Sequence, residues 1–73
     1  QSSNMYTNEN INGIIFLYHG DSYVVSNVGE KYCRLTCQNK DWNDDDYLVK
    51  DLLKHLNDGT YRLPSIIDNY SIF

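Results

Sequence analysis

The sequence predicts a small α+β domain, with a three-stranded antiparallel β-meander followed by one amphipathic helix packed on the sheet. Three observations predict this fold class. Between residues 13 and 38, three apolar or alternating segments are separated by short turns that contain glycine. Leucines then recur at helical spacing ahead of Gly59. The length of 73 residues leaves room for one domain.

The first two strands are predicted at residues 13–18 and 23–27. The first segment is rich in Ile and aromatic residues and is apolar on both faces, which suits a strand covered by another part of the chain. Gly20 can adopt a positive φ in the hairpin turn that joins them. Because the turns are short, successive strands are expected to be neighbours in the sheet.

The third strand is predicted at residues 32–38, where apolar and polar residues alternate. One face, expected to meet the core, carries Cys33, Leu35 and Cys37. The other face, expected to meet solvent, carries Tyr32, Arg34 and Thr36.

The helix is predicted to begin after Asn43, a favourable N-cap residue. Residues 44–46, all Asp, would fill its first turn and oppose the helix dipole. Trp42 and Tyr47 would form a hydrophobic staple, and Gly59 would end the helix in the left-handed conformation. The apolar stripe facing the sheet would consist of Leu48, Val49, Leu52, Leu53 and Leu56.

The ends of the chain are assigned by composition. Residues 1–4 precede Met5 and are predicted to be a tag remnant. Residues 5–12 are polar and rich in Asn, which predicts a flexible N-terminal arm. Residues 13–73 would then form the single small α+β domain.

The C-terminal part of the domain is predicted to be a short edge strand at residues 60–63, closed by Pro64. The segment 65–73 is too apolar for a free tail, so we expect it to pack on the sheet or to form a homodimer. The residues that would mediate this self-association are Ile66, Ile67, Tyr70, Ile72 and Phe73.

Composition and charge favour a protein partner over nucleic acid. The net charge is −4, with ten acidic and six basic residues. Proteins that bind nucleic acid without sequence preference gain affinity through Lys and Arg, which are scarce here.

Composition also indicates the source of the chain. Nine Asn, seven Tyr and no Ala indicate AT-rich codons, hence a low-GC bacterium or a phage or mobile element within it. The chain contains no apolar run of the ~18–20 residues needed to span a membrane, and a cytoplasmic location is expected.

The two cysteines are expected to be buried, reduced thiols. In a strand, Cys33 and Cys37 would lie about 13 Å apart, too far for a disulfide. A zinc site would need two further ligands, and neither His19 nor His55 stands at a typical ligand spacing. No metal or cofactor is therefore predicted.

The acidic segment resembles a calcium loop only in part. Asp41, Asn43 and Asp45 match the first, third and fifth positions of an EF-hand loop, but Asp46 stands at the glycine position and Leu52 at the bidentate Glu position. Helix capping and a patch that binds a partner account better for these carboxylates. The predicted partner-binding residues are Asp41, Trp42, Asp44, Asp45, Asp46 and Tyr47.

No catalytic residues are predicted. His19 and Asp21 flank a turn, and no Ser or Cys nucleophile is suitably placed beside them. Aromatic side chains on a sheet can stack single-stranded bases, but basic residues usually accompany them. The tyrosines considered for this role are Tyr18, Tyr23, Tyr32 and Tyr61, and the basic residues near them are Lys31, Arg34 and Arg62.

The function expected from these features is that of a small acidic protein-binding module, encoded by a phage or mobile element, which inhibits or modulates a host protein. The partner would be basic or itself bind nucleic acid, such as a DNA-processing or defence enzyme. Two alternatives remain from the sequence. One is an accessory domain that binds nucleic acid through a Tyr-bearing sheet face, and the other is a self-associating structural module.

Overall fold

The computed structural model describes residues 5–64, which form a four-stranded antiparallel sheet followed by one helix. The strands are β1 (Ile15–Tyr18), β2 (Asp21–Ser26), β3 (Tyr32–Cys37) and β4 (Asn43–Leu48), and the helix is α1 (Val49–Asp58). The strands lie in the order β1-β2-β3-β4. The α+β class and the antiparallel meander are confirmed, and the meander has four strands where three were predicted. The predicted tag remnant and the apolar C-terminal residues lie outside the described residues.

The first three strands follow the local sequence signals. His19 and Gly20 form the two-residue turn between β1 and β2, with φ of 50° and 83°. Positive φ at both positions matches the twist of the flanking strands. The predicted faces of β3 are also confirmed, since Cys33, Leu35 and Cys37 are at most 5% exposed.

The prediction that residues 43–48 begin the helix is wrong. They form β4, which pairs with β3 in the register Cys33↔Tyr47 and Thr36↔Asn43. Asn43 is therefore not an N-cap, and α1 begins at Val49 without a side-chain cap. Pairing satisfies the backbone groups along the outer edge of β3, a long-range gain that local helix signals do not include.

Two further details of the predicted helix change with this correction. Leu48 is 43% exposed and does not belong to the core. Trp42 and Tyr47 lie before and within a strand and do not form a helix staple. The end of the helix is as predicted, because Gly59 adopts a left-handed φ of 90°.

A β-bulge interrupts β4 where its carboxylates are concentrated. Between the pairs Cys33↔Tyr47 and Leu35↔Asp44, two residues of β4 oppose one residue of β3. The opposing residue is Arg34, whose Nε lies 3.2 Å from Asp45 Oδ1. Because β4 is an edge strand, the charges and the bulge discourage pairing with another chain.

The core lies between one face of the sheet and α1. Leu52 and Leu56 pack from the helix against the face of β3 that carries the cysteines. Ile11 is also fully buried. The N–H of Tyr6 donates to Asn57 Oδ1 at 3.0 Å, so the segment expected to be a flexible arm contributes contacts to the domain.

The predicted C-terminal edge strand is reduced to one bridge. Leu17 and Arg62 exchange two backbone hydrogen bonds of 2.6 and 3.0 Å beside β1. The face of the sheet that points away from α1 carries exposed apolar residues, namely Ile15, Leu17, Tyr32 and Leu48.

Replacement of Asn43 distinguishes the observed strand from a helix start. Asn43 is exposed and pairs with Thr36, so Asn43→Val should raise the free energy of unfolding by up to about 1 kcal/mol because Val favours strands. At a helix N-cap the same change would cost about 0.5–2 kcal/mol. Urea denaturation shows whether Asn43→Val raises or lowers the free energy of unfolding. As a control, Asp51→Asn in the first turn of α1 should cost about 0.3–1 kcal/mol, and destabilisation by both variants would contradict the β4 assignment.

Candidate functional site: an aromatic cavity with an acidic rim

Beyond the part of the sheet that α1 covers, the core-facing surface forms a cavity of about 230 Å³. Strand alternation builds it, since Phe16 pairs with Tyr23 in register and both point to the same side as Leu35. We call this feature the aromatic cavity. Its lining residues are Phe16, Tyr18, Tyr23, Leu35, Trp42, Tyr47 and Tyr61.

The rings pack in the arrangements that aromatic quadrupoles favour. Phe16 is stacked on both Tyr23 and Tyr61, with ring centroids 5.2 and 4.4 Å apart. Tyr18 meets Tyr61 edge to face at 72°, and Trp42 meets Tyr23 at 89°. Phe16 is 1% exposed and forms the floor, whereas Trp42 is 44% exposed and lies at the mouth.

One pair of hydroxyl groups lies within this lining. The Tyr47 and Tyr61 hydroxyls are 2.7 Å apart and share a hydrogen bond. Burial, followed by this hydrogen bond, raises the pKa of Tyr47 well above its ordinary value. The Tyr47 phenol therefore stays protonated at neutral pH and offers hydrogen bonding without charge.

We use the name acidic rim for three carboxylates that adjoin lining residues. Asp21 and Asp44 pair in register with lining residues, and Asp41 is the sequence neighbour of Trp42. Asp44 is directly opposite Leu35 in the β3–β4 register. Its charge, after the larger effect of burial, raises the pKa of the Cys33 thiol to about 11. Asp41 directly precedes Trp42 and is exposed.

Asp21 is the member of the acidic rim with a cation beside it. It pairs with Tyr18 in the β1–β2 register, and its Oδ2 lies 2.9 Å from Lys40 Nζ. Asn39 Nδ2 donates to the other carboxylate oxygen at 2.8 Å. The bond from Lys40, and then that from Asn39, lower the pKa of Asp21.

Within residues 5–64 the ion pairs leave part of the acidic rim unmatched. Arg34 pairs with Asp45 and Lys40 pairs with Asp21, whereas Asp41 and Asp44 make no ion pair in this part of the chain. Asp44 Oδ1 accepts a hydrogen bond from the Asp46 N–H at 2.9 Å. Negative charge beside the aromatic cavity is therefore only partly neutralised.

The structure divides the predicted partner-binding residues between two faces. Trp42 and Tyr47 line the aromatic cavity. Asp44 pairs in register with a lining residue, Leu35, and Asp41 precedes Trp42 in sequence. Asp45 belongs to the opposite face, where it pairs with Arg34. Asp46 is exposed at the bulge.

Phe16 was not predicted as a site residue, and the structure groups the tyrosines differently from the prediction. Tyr18, Tyr23 and Tyr61 line the aromatic cavity, but Tyr32 lies on the opposite face beside Leu48. The tyrosines considered for base stacking therefore do not share one surface. Alternation within residues 15–18 and 21–26 was the signal that could have grouped Phe16, Tyr18 and Tyr23.

The remaining candidate residues form no metal-binding cluster in the described part of the chain. Cys33 and Cys37 are unpaired and buried, and their burial was predicted. Residues 5–64 hold no group of three or more His, Cys, Asp or Glu side chains arranged for a metal ion. His19 lies at the exposed turn, its ring 4.1 Å from that of Tyr18.

His55 adjoins the aromatic cavity through Tyr61, with ring centroids 4.9 Å apart. Its buried Nδ1 has no hydrogen-bond partner among residues 5–64.

Over residues 5–64, no helix has the length and apolar character needed to cross a membrane, and α1 contains only ten residues. No family model, curated protein or solved structure matches the chain.

Proposed function

We propose that this protein is a protein-binding module that holds a basic partner protein at the aromatic cavity and its acidic rim. The observation that carries the proposal is a cavity walled by six aromatic side chains, several of them partly exposed, with unmatched carboxylates beside it. Tyr and Trp are enriched among the residues that dominate binding energy at protein interfaces. Each supplies a large contact area with few rotatable bonds.

The chemistry of the cavity supports binding over catalysis. Its lining consists of aromatic rings and Leu35, with the phenol hydroxyls and the Trp42 indole N–H as the polar side-chain groups. Tyr47 is held in the neutral form at physiological pH. A general acid or base would need a pKa near the operating pH, and the raised pKa values of Tyr23 and Tyr47 lie further from neutrality than that of an ordinary phenol.

Charge supports a basic partner. The chain carries a net charge of −4, and Asp41 and Asp44 lack a cation within residues 5–64. Complementary charge accelerates association and selects against acidic partners. Binding would cover a basic surface, such as the phosphate-binding groove of a DNA-processing or defence enzyme, and so inhibit or modulate the protein that bears it.

Two neighbouring carboxylates provide a matched test, because Asp44 lies beside the aromatic cavity and Asp45 on the opposite face. The tagged protein and its variants are used to capture partners from a low-GC bacterial lysate, and each captured protein is then purified and titrated. Asp44→Asn should weaken its binding about three- to tenfold, and Trp42→Ala by about tenfold or more. Binding should also weaken as salt reduces the Debye length from about 10 Å to about 3 Å.

The controls remove one carboxylate and one aromatic ring from the opposite face of the sheet. Asp45→Asn and Tyr32→Ala should leave the affinity unchanged within about twofold, while circular dichroism verifies that all variants are folded. A partner that binds equally well to Trp42→Ala and Asp44→Asn would contradict the proposal. So would tight binding of short oligonucleotides at physiological salt that is lost in Arg34→Ala.

A further inference from the structure

The size of the aromatic cavity restricts what it can hold. Its volume is about 230 Å³. Cavities for small molecules and cofactors usually measure about 300–1,000 Å³. One long side chain from a partner is therefore a better match than a cofactor.

Among the side chains that could enter the cavity, its aromatic walls favour a cationic one. Trp42 and Tyr23 are inclined at 89°, and Tyr18 and Tyr61 at 72°, so rings surround the space from different directions. A cation within about 6 Å of a ring centroid is attracted to the ring face, most strongly for Trp. An anion would meet the repulsion of the acidic rim.

Carboxylates also contribute to the raised pKa values of two lining residues, Tyr23 and Tyr47. Asp21 contributes to the raised pKa of Tyr23 after burial, and Asp51 contributes to that of Tyr47 after burial and the Tyr61 contacts. Lys40, which acts on Tyr23 in the opposite sense, is bound by Asp21 at 2.9 Å. The local field therefore disfavours added negative charge.

We propose that the aromatic cavity holds an arginine side chain of the partner, with its guanidinium against Trp42 and its charge paired with Asp44. A guanidinium is planar, stacks on aromatic faces and is less strongly hydrated than an ammonium group. A lining of rings and phenols offers few acceptors to replace the water around a lysine ammonium. Asp44 uses Oδ1 for the Asp46 N–H, and its Oδ2 has no partner within residues 5–64.

This inference rests on the proposed function, and Trp42 allows it to be tested separately. Trp42 is the single Trp of the chain, so its fluorescence reports on the cavity without a label. The probes are four short peptides that differ at one position, which is Arg, Lys, Leu or citrulline, the neutral isostere of Arg. The Arg peptide should change the fluorescence saturably and bind about tenfold more tightly than the citrulline peptide.

Asp44→Asn should lower the affinity for the Arg peptide about fivefold without changing that for citrulline. Asp45→Asn should leave both affinities unchanged, and Tyr32→Ala should do the same. Equal binding of Arg and citrulline peptides, tighter binding of the Lys or Leu peptide, or no saturable response would each overturn the inference. If capture of the partner still depends on Trp42 and Asp44, the proposed function stands while the arginine assignment falls.

Discussion

Phe16→Ala is expected to lower the free energy of unfolding by about 3–5 kcal/mol, the usual cost of removing a buried aromatic ring. Phe16 is 1% exposed and belongs to the core cluster. Its ring is stacked on both Tyr23 and Tyr61, and those contacts would be lost together. Urea denaturation followed by circular dichroism measures the loss, which takes a large share of the stability of a typical small domain.

Ile15→Ala is the matched control for Phe16→Ala, because the neighbouring residue points to the opposite face of the same strand. Ile15 is 36% exposed, so its truncation should cost much less than that of Phe16. Equal losses for the two variants would show that the faces of β1 are assigned incorrectly. Near-wild-type stability of Phe16→Ala would remove Phe16 from the core and from the cavity floor.

Leu52→Ala should cost about 2–5 kcal/mol of unfolding free energy. Leu52 has no exposed surface and packs in the cluster that includes Cys33 and Leu35. The cavity left behind would lie between α1 and the sheet, where neither element can move without breaking its other contacts. The midpoint of urea unfolding should fall with little change in slope.

Leu48→Ala provides the comparison for Leu52→Ala. The sequence pattern places both leucines on one helical stripe, whereas the structure has Leu48 at the end of β4 and 43% exposed. Leu48→Ala should therefore cost far less than Leu52→Ala. Similar large losses would favour a helix that extends through residues 44–48, in contradiction to the observed fold.

The overlap of core and site has a practical consequence for experiments on binding. Phe16 and Leu35 both line the aromatic cavity and belong to the core cluster. Substitutions there would change folding and binding together. Trp42 and Asp44 lie towards the surface, so their replacement separates the two properties more cleanly.

The sequence by itself determined the elements whose signals are local. Alternation in residues 32–37 predicted which side of β3 is buried, because the side-chain period of a strand is two. Gly20 marked the first turn and Gly59 the end of α1, because both positions require a positive φ that suits glycine. Trp42, a predicted site residue, lines the aromatic cavity, whereas partner binding by Trp42 and the acidic residues stays a prediction.

Only the tertiary structure decided that residues 43–48 form a strand and not the start of the helix. Asn43 followed by three Asp residues has the local pattern of a helix start, and no residue in that segment reveals the unpaired edge of β3. Pairing with that edge satisfies backbone groups on both strands and brings the Tyr47 hydroxyl within 2.7 Å of that of Tyr61. The position of Tyr61 has the same origin, since the path of the chain after α1 places its ring on that of Phe16. These contacts join residues far apart in sequence, and local pattern carries no information about them.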